Sequence, residues 1–540
     1  MPYVVTQSCC ADASCVLACP VNCIHPAPGE PGFAETEMLY VDPATCVDCG
    51  ACATACPADA ITPHTALTPA EQPFLALNAE YYDAFPHPDR TPVAQVPPQR
   101  RLRRSRPLRF AVVGSGPAGM YAADELLKHP EVSVDVLDRL PTPYGLVRAG
   151  VAPDHQRTKQ VARLFEAIER ERGFGYLLGV EVGRDLTHDE LACHYDGVVY
   201  AVGAAHDRRL GIEGEELVGS LSATDLVGWY NGHPDRQDLR VPLDHERAVV
   251  VGAGNVALDV ARILTADPDA LARTDIAALP WAELGRSRVR EVVVLGRRGP
   301  EDAAFTLPEL VGLAAIDDLD VRVDTGGVPV TGTSAKARLL REIAARPPRP
   351  GRRRLVLRFR TTPTRIVGAD AVAGVEVTRD GVREVIECGL VLRAIGYHGA
   401  PVPGLPYDAE TGTVPNDRGR VRPGVYVVGW AKRGPTGFIG TNKTCAQETV
   451  ERVLDDADAE LLPAPTRDRD DLATLLEERA VVPIDAEGWR AIDEEERRRG
   501  RARGRPRLKI VDPAELRRVA REAVAPSRYS AARRRRQKRG

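Results

Sequence analysis

Short apolar runs bounded by glycine punctuate this chain, and helical patterns follow directly on several of them. Phe110–Val113 enters a glycine-rich turn, a helical pattern runs through Lys128, and a second apolar run covers Val132–Leu137. The order repeats at Ala248–Val251, with a helical pattern after it and a strand-like run at Arg290–Leu295. Tyr195–Val202, Leu390–Tyr397 and Gly424–Trp430 read as further buried strands. Strands alternating with helices predict parallel sheets and an α/β fold. Between these units, Arg139–His155 holds too many turn residues for a regular element and predicts a loop facing a ligand. Residues 63–107 are rich in proline, alanine and polar residues, with a helix predicted from about Glu71 to Phe85 and a linker ending in Arg100–Arg104. That helix belongs either to the linker or to the N-terminal unit.

Each of the two glycine turns has the chemistry of a dinucleotide site. In the first, Gly114, Gly116 and Gly119 form G-x-G-x-x-G. The first glycine permits the turn, the second admits a pyrophosphate to the backbone, and the third lets helix pack on strand. The opening of the helix presents unpaired N–H groups to the phosphates. Asp138, closing the second strand, stands where a ribose-binding carboxylate belongs. In the second turn, Gly252, Gly254, Asn255, Val256 and Ala257 follow the strand, with alanine at the third glycine position. After the next strand, Arg297 and Arg298 replace the acid of an NAD site. Two guanidiniums suit a 2′-phosphate, which predicts NADP; arginines that merely cover the sheet edge are the alternative.

At 540 residues the chain is long enough for two to four domains. Its net charge of −4 gives no argument for nucleic acid. The charge is uneven: residues 1–89 carry 11 acids and no Lys or Arg, whereas Arg533–Arg539 form a basic tail, read as a solvated end. No secretory leader and no membrane-spanning run are evident, so a cytoplasmic protein is expected. Nine of the 12 cysteines fall between Cys9 and Cys56, a density that in such a chain points to metal.

The spacing names the metal. Cys46, Cys49, Cys52 and Cys56, followed by Pro57, form C-x2-C-x2-C-x3-C-P, the bacterial iron–sulfur run whose fourth cysteine ligates the other cluster. The partner run offers Cys9, Asp12, Cys15 and Cys19, then Pro20. Crossing over assigns Cys9, Cys15 and Cys56 to cluster one, with Asp12 as candidate fourth ligand, and Cys46, Cys49, Cys52 and Cys19 to cluster two. Cys10 is an alternative to Cys9, and Cys23 reads as a buried thiol. Cluster two is expected to be 4Fe-4S; cluster one is expected to be 3Fe-4S or a labile 4Fe-4S.

The first 65 residues resemble two-cluster ferredoxins of the seven-iron type, through Tyr3–Thr6, Cys15–Cys23 and Met38–Pro43 as well as the cysteines. From Leu108 to about Trp489 the chain resembles the adrenodoxin-reductase family of ferredoxin–NADP reductases. The matching strings are Gly114–Gly119, Pro143–Arg148, Val151–His155, Gly228–Asn231, Gly254–Asp259, Gly296–Pro300, Ala304–Thr306 and Gly429–Trp430. The fusion narrows the resemblance to the actinobacterial ferredoxin/ferredoxin–NADP reductase type. It implies FAD contacts at Ala118, Asp138, Leu146, Val182, Trp430 and Gly437, Phe438 and Ile439. It implies NADP contacts at Arg208, Gly254 to Ala257, Arg297, Arg298, Glu309 and Gly437, with His155 and Glu309 near the flavin–nicotinamide site. Three positions depart from the family: Asp138 replaces a glutamate, Phe438 a valine, and Pro308 directly precedes Glu309.

The expected architecture is therefore a small α+β ferredoxin over residues 1–65, a helix and linker over 66–107, and an FAD domain in two pieces, 108–206 and 394–500. An NADP domain is inserted at 207–393, and a charged extension covers 501–540. The expected function is transfer of electrons from NADPH through FAD and the clusters to a one-electron acceptor protein, such as another ferredoxin or a haem monooxygenase. Alternatives are an NADPH dehydrogenase like the glutamate synthase small subunit, whose cysteines are spaced differently, and a non-catalytic relay.

Overall fold

The strand Leu108–Val113 lies inside a six-stranded sheet, with Val132–Asp138 and Phe174–Leu178 on one side and Gly197–Tyr200, Val425–Val427 and Arg420–Arg422 on the other. All pairings are parallel except the last. Since chain order reverses about Leu108–Val113, its C-terminal end is a topological switch point, where open α/β sheets bind ligands. The chain in question is a computed structural model describing residues 2–93, 100–103 and 106–523. The basic tail Arg533–Arg539 and part of the linker lie outside the described residues.

A second six-stranded sheet is wholly parallel, in the order Ser220–Ser222, Leu390–Arg393, Arg247–Val251, Glu291–Leu295, Arg353–Arg358, Leu319–Asp324. It has its own switch point beyond Val251. Three antiparallel strands, Thr362–Gly368, Val372–Arg379 and Val382–Glu387, form a separate small sheet. The apolar run expected as one strand over Leu390–Tyr397 is broken: Gly396 has φ +105°, and Tyr397–His398 pairs instead with His206–Asp207. The Arg139–His155 segment contains one helical turn, Leu146–Ala149.

The N-terminal unit repeats one motif. Ala13 and Gly50 take left-handed backbone at the start of the helices Ser14–Ala18 and Ala51–Ala55. Cys19 and Cys56 then turn extended, at φ −77° and −76°, just before their prolines. The helix Pro73–Ala84 belongs to this unit and not to the linker. Asn78 Oδ1 accepts from Val5 N and Val41 N at 3.2 and 2.9 Å, and the Tyr82 hydroxyl donates to the Cys23 and Tyr40 carbonyls.

Residues 502–523 pack into the fold. Lys509 is buried, 3.0 Å from Asp275, and Asp275 also pairs with Lys159 at 2.8 Å. Glu496, wholly buried, pairs with Arg148 and Arg507. These paired charges tie the helix Ala486–Arg501 and the residues after it to both nucleotide units.

Candidate functional site

Both glycine turns are built for close approach. Gly114 has φ +109°, and a Cβ there would stand 2.4 Å from the Ala201 carbonyl oxygen. A Cβ at Gly119 would stand 1.9 Å from the Gly114 carbonyl, so the third glycine is what lets helix Pro117–Leu127 sit on its strand. Gly252 repeats the first case, at φ +123° and 2.2 Å from Ala394 O, while Ala257 is tolerated, fully buried. Helices Pro117–Leu127 and Asn255–Thr265 both start behind a glycine with no side-chain cap, which leaves their first N–H groups for a ligand.

Asp138 is held in place before any ligand arrives. Its Oδ2 accepts from Ser115 N at 2.9 Å and Ser115 Oγ at 2.6 Å, and its Oδ1 accepts from Leu140 N at 2.9 Å. A carboxylate has about four acceptor positions, so about one is left for a ribose hydroxyl. Trp430 lies against Tyr397, ring centroids 5.1 Å apart, and donates its indole N–H to Thr436 O. Leu146 is 41% exposed, unusual for an apolar side chain on a helix beside the turn. Val182 is half-buried, away from the glycine turn in sequence and held by a bridge to Leu186.

In the second crevice, Arg297 and Arg298 leave the strand Glu291–Leu295 exposed. Arg298 donates to the Asp302 carbonyl at 3.1 Å and makes a loose ion pair with its carboxylate at 3.6 Å, both at the surface, and among the described residues Arg297 makes no ion pair. Arg208 is exposed beside Gly396, to whose carbonyl its N–H donates. His155, Asp259 and Glu309 converge, their donor atoms within 4.8 Å of one another. Arg262, buried, pairs with Asp154, Asp259 and Glu309 at 2.6, 2.7 and 3.5 Å, so one guanidinium serves three carboxylates and the cluster is rich in acid. Burial opposes the Asp154 carboxylate, but Arg262 overrides it and holds its pKa down at about 2. Burial, then Asp259, raises the Glu309 carboxyl above the usual range, with His155 3.9 Å away pulling the other way. Pro308 does not disturb Glu309: it occupies the first turn of helix Leu307–Ala314, where its missing N–H costs nothing.

The cysteines form two sets. Cys19, Cys46, Cys49 and Cys52 line one pocket together with Tyr3, Cys23 and Gly50. Cys49 is exposed and Val47 57% exposed, so this set faces outward. Cys9, Cys15 and Cys56 form the inner set, with Asp12 buried and electrostatically coupled to all three. Backbone N–H groups donate to the sulfurs of Cys9, Cys19 and Cys56 at 3.3–3.4 Å. Burial raises the Cys9 and Cys52 thiols to about 12, and Cys15 well up, whereas a hydrogen bond with Cys23, 3.4 Å away, lowers Cys19 to about 6. Among the described residues no cysteine is in a disulfide. Buried thiols gathered in this way fit a metal cluster, whose charge stabilises their thiolates.

The inner set is pressed against the reductase-like half. Gly440 N–H donates to the Cys10 carbonyl at 2.7 Å, and a Cβ at Gly440 would stand 2.0 Å from the Ala11 oxygen. Lys443 reaches Ser14 Oγ at 3.3 Å and lies 4.0 Å from Asp12 Oδ2, while Thr158 Oγ1 donates to Ser8 O. Cys10 points into the core formed around the first sheet, with Tyr121 and Ile439. Gly437, Phe438 and Ile439 therefore lie directly before the residue that touches the cysteine loop. On the other side Gln7 donates to Glu309 at 3.0 Å, and Leu307, Val311 and Leu339 pack into the N-terminal core. Gln7 and Glu37 carry no motif in the sequence, whereas Gly440 and Lys443 lie in the glycine-rich run Gly434–Lys443, whose pattern opens a helix.

Comparison with known proteins agrees with this arrangement. Residues 108–293 match the pyridine nucleotide-disulphide oxidoreductase family, and residues 39–62 match the 4Fe-4S binding domain. A probable ferredoxin/ferredoxin–NADP reductase of Mycobacterium leprae is 51% identical over 543 residues, covering 96% of this chain and 98% of that protein. The chain belongs to the ferredoxin/ferredoxin–NADP reductase family. It is an oxidoreductase in which a ferredoxin domain is fused to the reductase. The NADPH-ferredoxin reductase FprA of Mycobacterium tuberculosis is 44% identical over 452 residues, 77% of this chain and 99% of its own. The solved structure of FprA in complex with NADPH matches with TM-score 0.73 at 43% identity, again over 77% of this chain and all of that one. The reductase portion thus corresponds to a protein that exists without the ferredoxin. Among the described residues no helix is long and apolar enough to cross a membrane.

Proposed function

We propose that this reductase takes electrons from NADPH and delivers them one at a time to an acceptor protein, using FAD and two iron–sulfur clusters. The single observation that carries this reading is the seam at Gly440, where the inner cysteine loop lies against the segment assigned to the flavin. FAD held at these sites would supply the chemistry that links a two-electron hydride donor, NADPH, to one-electron carriers such as iron–sulfur clusters. The protein's part is to bind, space and shield these groups. Gly114, Gly116, Ala118, Gly119 and Asp138 hold the FAD pyrophosphate and ribose, and Leu146, Val182, Trp430 and Gly437–Ile439 its remaining surface. Gly252 to Ala257 hold the NADP pyrophosphate, Arg297, Arg298 and Arg208 its phosphate, and Glu309 with His155 orients the nicotinamide. The FAD unit is 108–206 with 394–500, and the NADP unit 207–393.

The inner set, Cys9, Cys15 and Cys56, is the receiving site, and the outer set, with exposed Cys49, is the outlet. The acceptor is a one-electron carrier such as another ferredoxin or a haem monooxygenase, and the protein works in the cytoplasm. The test is NADPH-dependent reduction of ferricyanide and of cytochrome c by the purified protein; failure of both contradicts the reading.

Asp12 makes the inner cluster the labile one. It stands where the second motif has Cys49, on a matching backbone, but its carboxylate is occupied by Ser14 N, Ser14 Oγ and Lys443. A hard carboxylate so engaged binds an iron corner less firmly than a thiolate. Air-exposed protein is expected to show an oxidised three-iron EPR signal, retained in Cys10→Ala and suppressed in Asp12→Cys. Absence of the signal in the unmodified protein would contradict the assignment.

A further inference from the structure

The second nucleotide crevice is shared with a residue of the ferredoxin domain. Asn255 opens the phosphate-facing helix Asn255–Thr265, and its Nδ2 donates to Glu37 Oε1 at 2.8 Å. The other oxygen of Glu37 accepts from the Thr306 hydroxyl, while Thr306 N donates to Asn255 Oδ1 at 2.8 Å. A carboxylate from the ferredoxin thus lies at an uncapped helix N-terminus, the place a pyrophosphate takes in a Rossmann turn. Glu37 is carried on the segment just after Phe33–Glu35 and just before the buried Met38 and Leu39, so it moves only if that loop moves.

We propose that Glu37 is a reversible plug: NADP(H) and the docked Glu37 loop compete for the N-terminus of helix Asn255–Thr265, so coenzyme binding opens this side of the ferredoxin seam. This rests on the NADP reading of the second crevice. The contact is suited to exchange because it is electrostatically opposed. Glu309 and Asp259 face Glu37 from helices Leu307–Ala314 and Asn255–Thr265, and with burial they push its carboxyl above the usual range. Release on this side need not undo docking on the other, where Gly440, Lys443 and Thr158 hold the inner cysteine loop. Oxidised coenzyme lying in the crevice would therefore loosen the ferredoxin from the NADP unit while leaving it against the flavin segment.

The experiment is equilibrium titration of the full-length holoprotein with NADP+, followed by the perturbation of flavin absorbance, with hydrogen exchange read on the peptide covering residues 33–40. Flavin and iron contents equal to those of the unmodified protein establish that each variant is intact. Glu37→Ala removes the plug and is expected to tighten NADP+ about threefold to tenfold, as a closed fraction is released. Glu37→Gln keeps the bond accepted from Asn255, can donate its amide N–H to the Thr306 hydroxyl oxygen in place of the bond accepted from it, and relieves the facing carboxylates, so it is expected to bind NADP+ no more tightly than the unmodified protein. In the unmodified protein NADP+ is expected to raise exchange over 33–40. Equal tightening by both substitutions would mean simple charge repulsion and would overturn the plug, as would an unchanged affinity in Glu37→Ala or a fall in exchange over 33–40. No NADP+ binding by any form would overturn the coenzyme reading itself, and the plug with it.

Discussion

Replacing Arg297 and Arg298 together with glutamine is expected to weaken NADPH binding about a hundredfold or more, since each charge-assisted contact contributes roughly 1.5–3 kcal/mol. NADH binding is expected to change little. Both guanidiniums are available to a ligand. They follow directly on the strand Glu291–Leu295, both are exposed, and the Arg298–Asp302 pair at 3.6 Å is a surface contact of small energy. A guanidinium free of a strong partner gives up little to take a phosphate, and its planar fork suits that ligand. The measurement is the Kd of each coenzyme from flavin perturbation. Equal losses for both would show that these side chains cover the sheet edge and do not read the 2′-phosphate.

Gly440→Ala is expected to uncouple the two halves. Gly440 itself has φ −68° and ψ −29°, backbone that alanine adopts freely, so nothing local opposes the change. The added methyl would instead stand 2.0 Å from the Ala11 oxygen and 2.3 Å from Asp12 N, both backbone. Overpacking of this kind costs about 1–3 kcal/mol, which lowers the ratio of docked to undocked forms by roughly fivefold to 150-fold. NADPH-driven cytochrome c reduction should fall accordingly, with ferricyanide reduction retained because the nucleotide crevices are untouched. A chain beginning near Arg106, equivalent in extent to the free-standing FprA, should behave the same way. Undiminished cytochrome c reduction in either would show that the ferredoxin domain is not the outlet.

The parts of this molecule legible in its sequence are those whose cause is local. A glycine turn must hold Gly114 within a few residues of its strand, and a cluster-binding loop must space Cys46, Cys49 and Cys52 tightly, so each leaves a pattern. The α/β class follows from the same alternation. What joins the parts leaves none. Cys10 and Gly440 are 430 positions apart, and Gln7 and Glu309 are 302 apart; neither pair has a spacing that announces the contact. The packing of residues 502–523 was not legible either, for a related reason. This stretch shows only as a charged extension in the sequence, and Lys509 and Arg505 are buried because Asp275 and the carbonyls of Thr274 and Ile276 receive them. A buried charge is tolerated only when paired, and the partner lies more than 200 residues away in the chain. The strand expected through Tyr397 stops at Arg393, and Gly396, at φ +105°, turns the chain so that Tyr397–His398 pairs elsewhere.

The central claim is that electrons from NADPH reach the inner cysteine set within one molecule, across the seam at Gly440. Anaerobic stopped-flow mixing of the full-length holoprotein with excess NADPH, followed at flavin and iron–sulfur wavelengths over a tenfold range of protein concentration, tests it directly. The account expects flavin bleaching first, then cluster bleaching at a rate independent of protein concentration. Cluster bleaching that scales with protein concentration, or that is absent while the flavin is reduced, would contradict it.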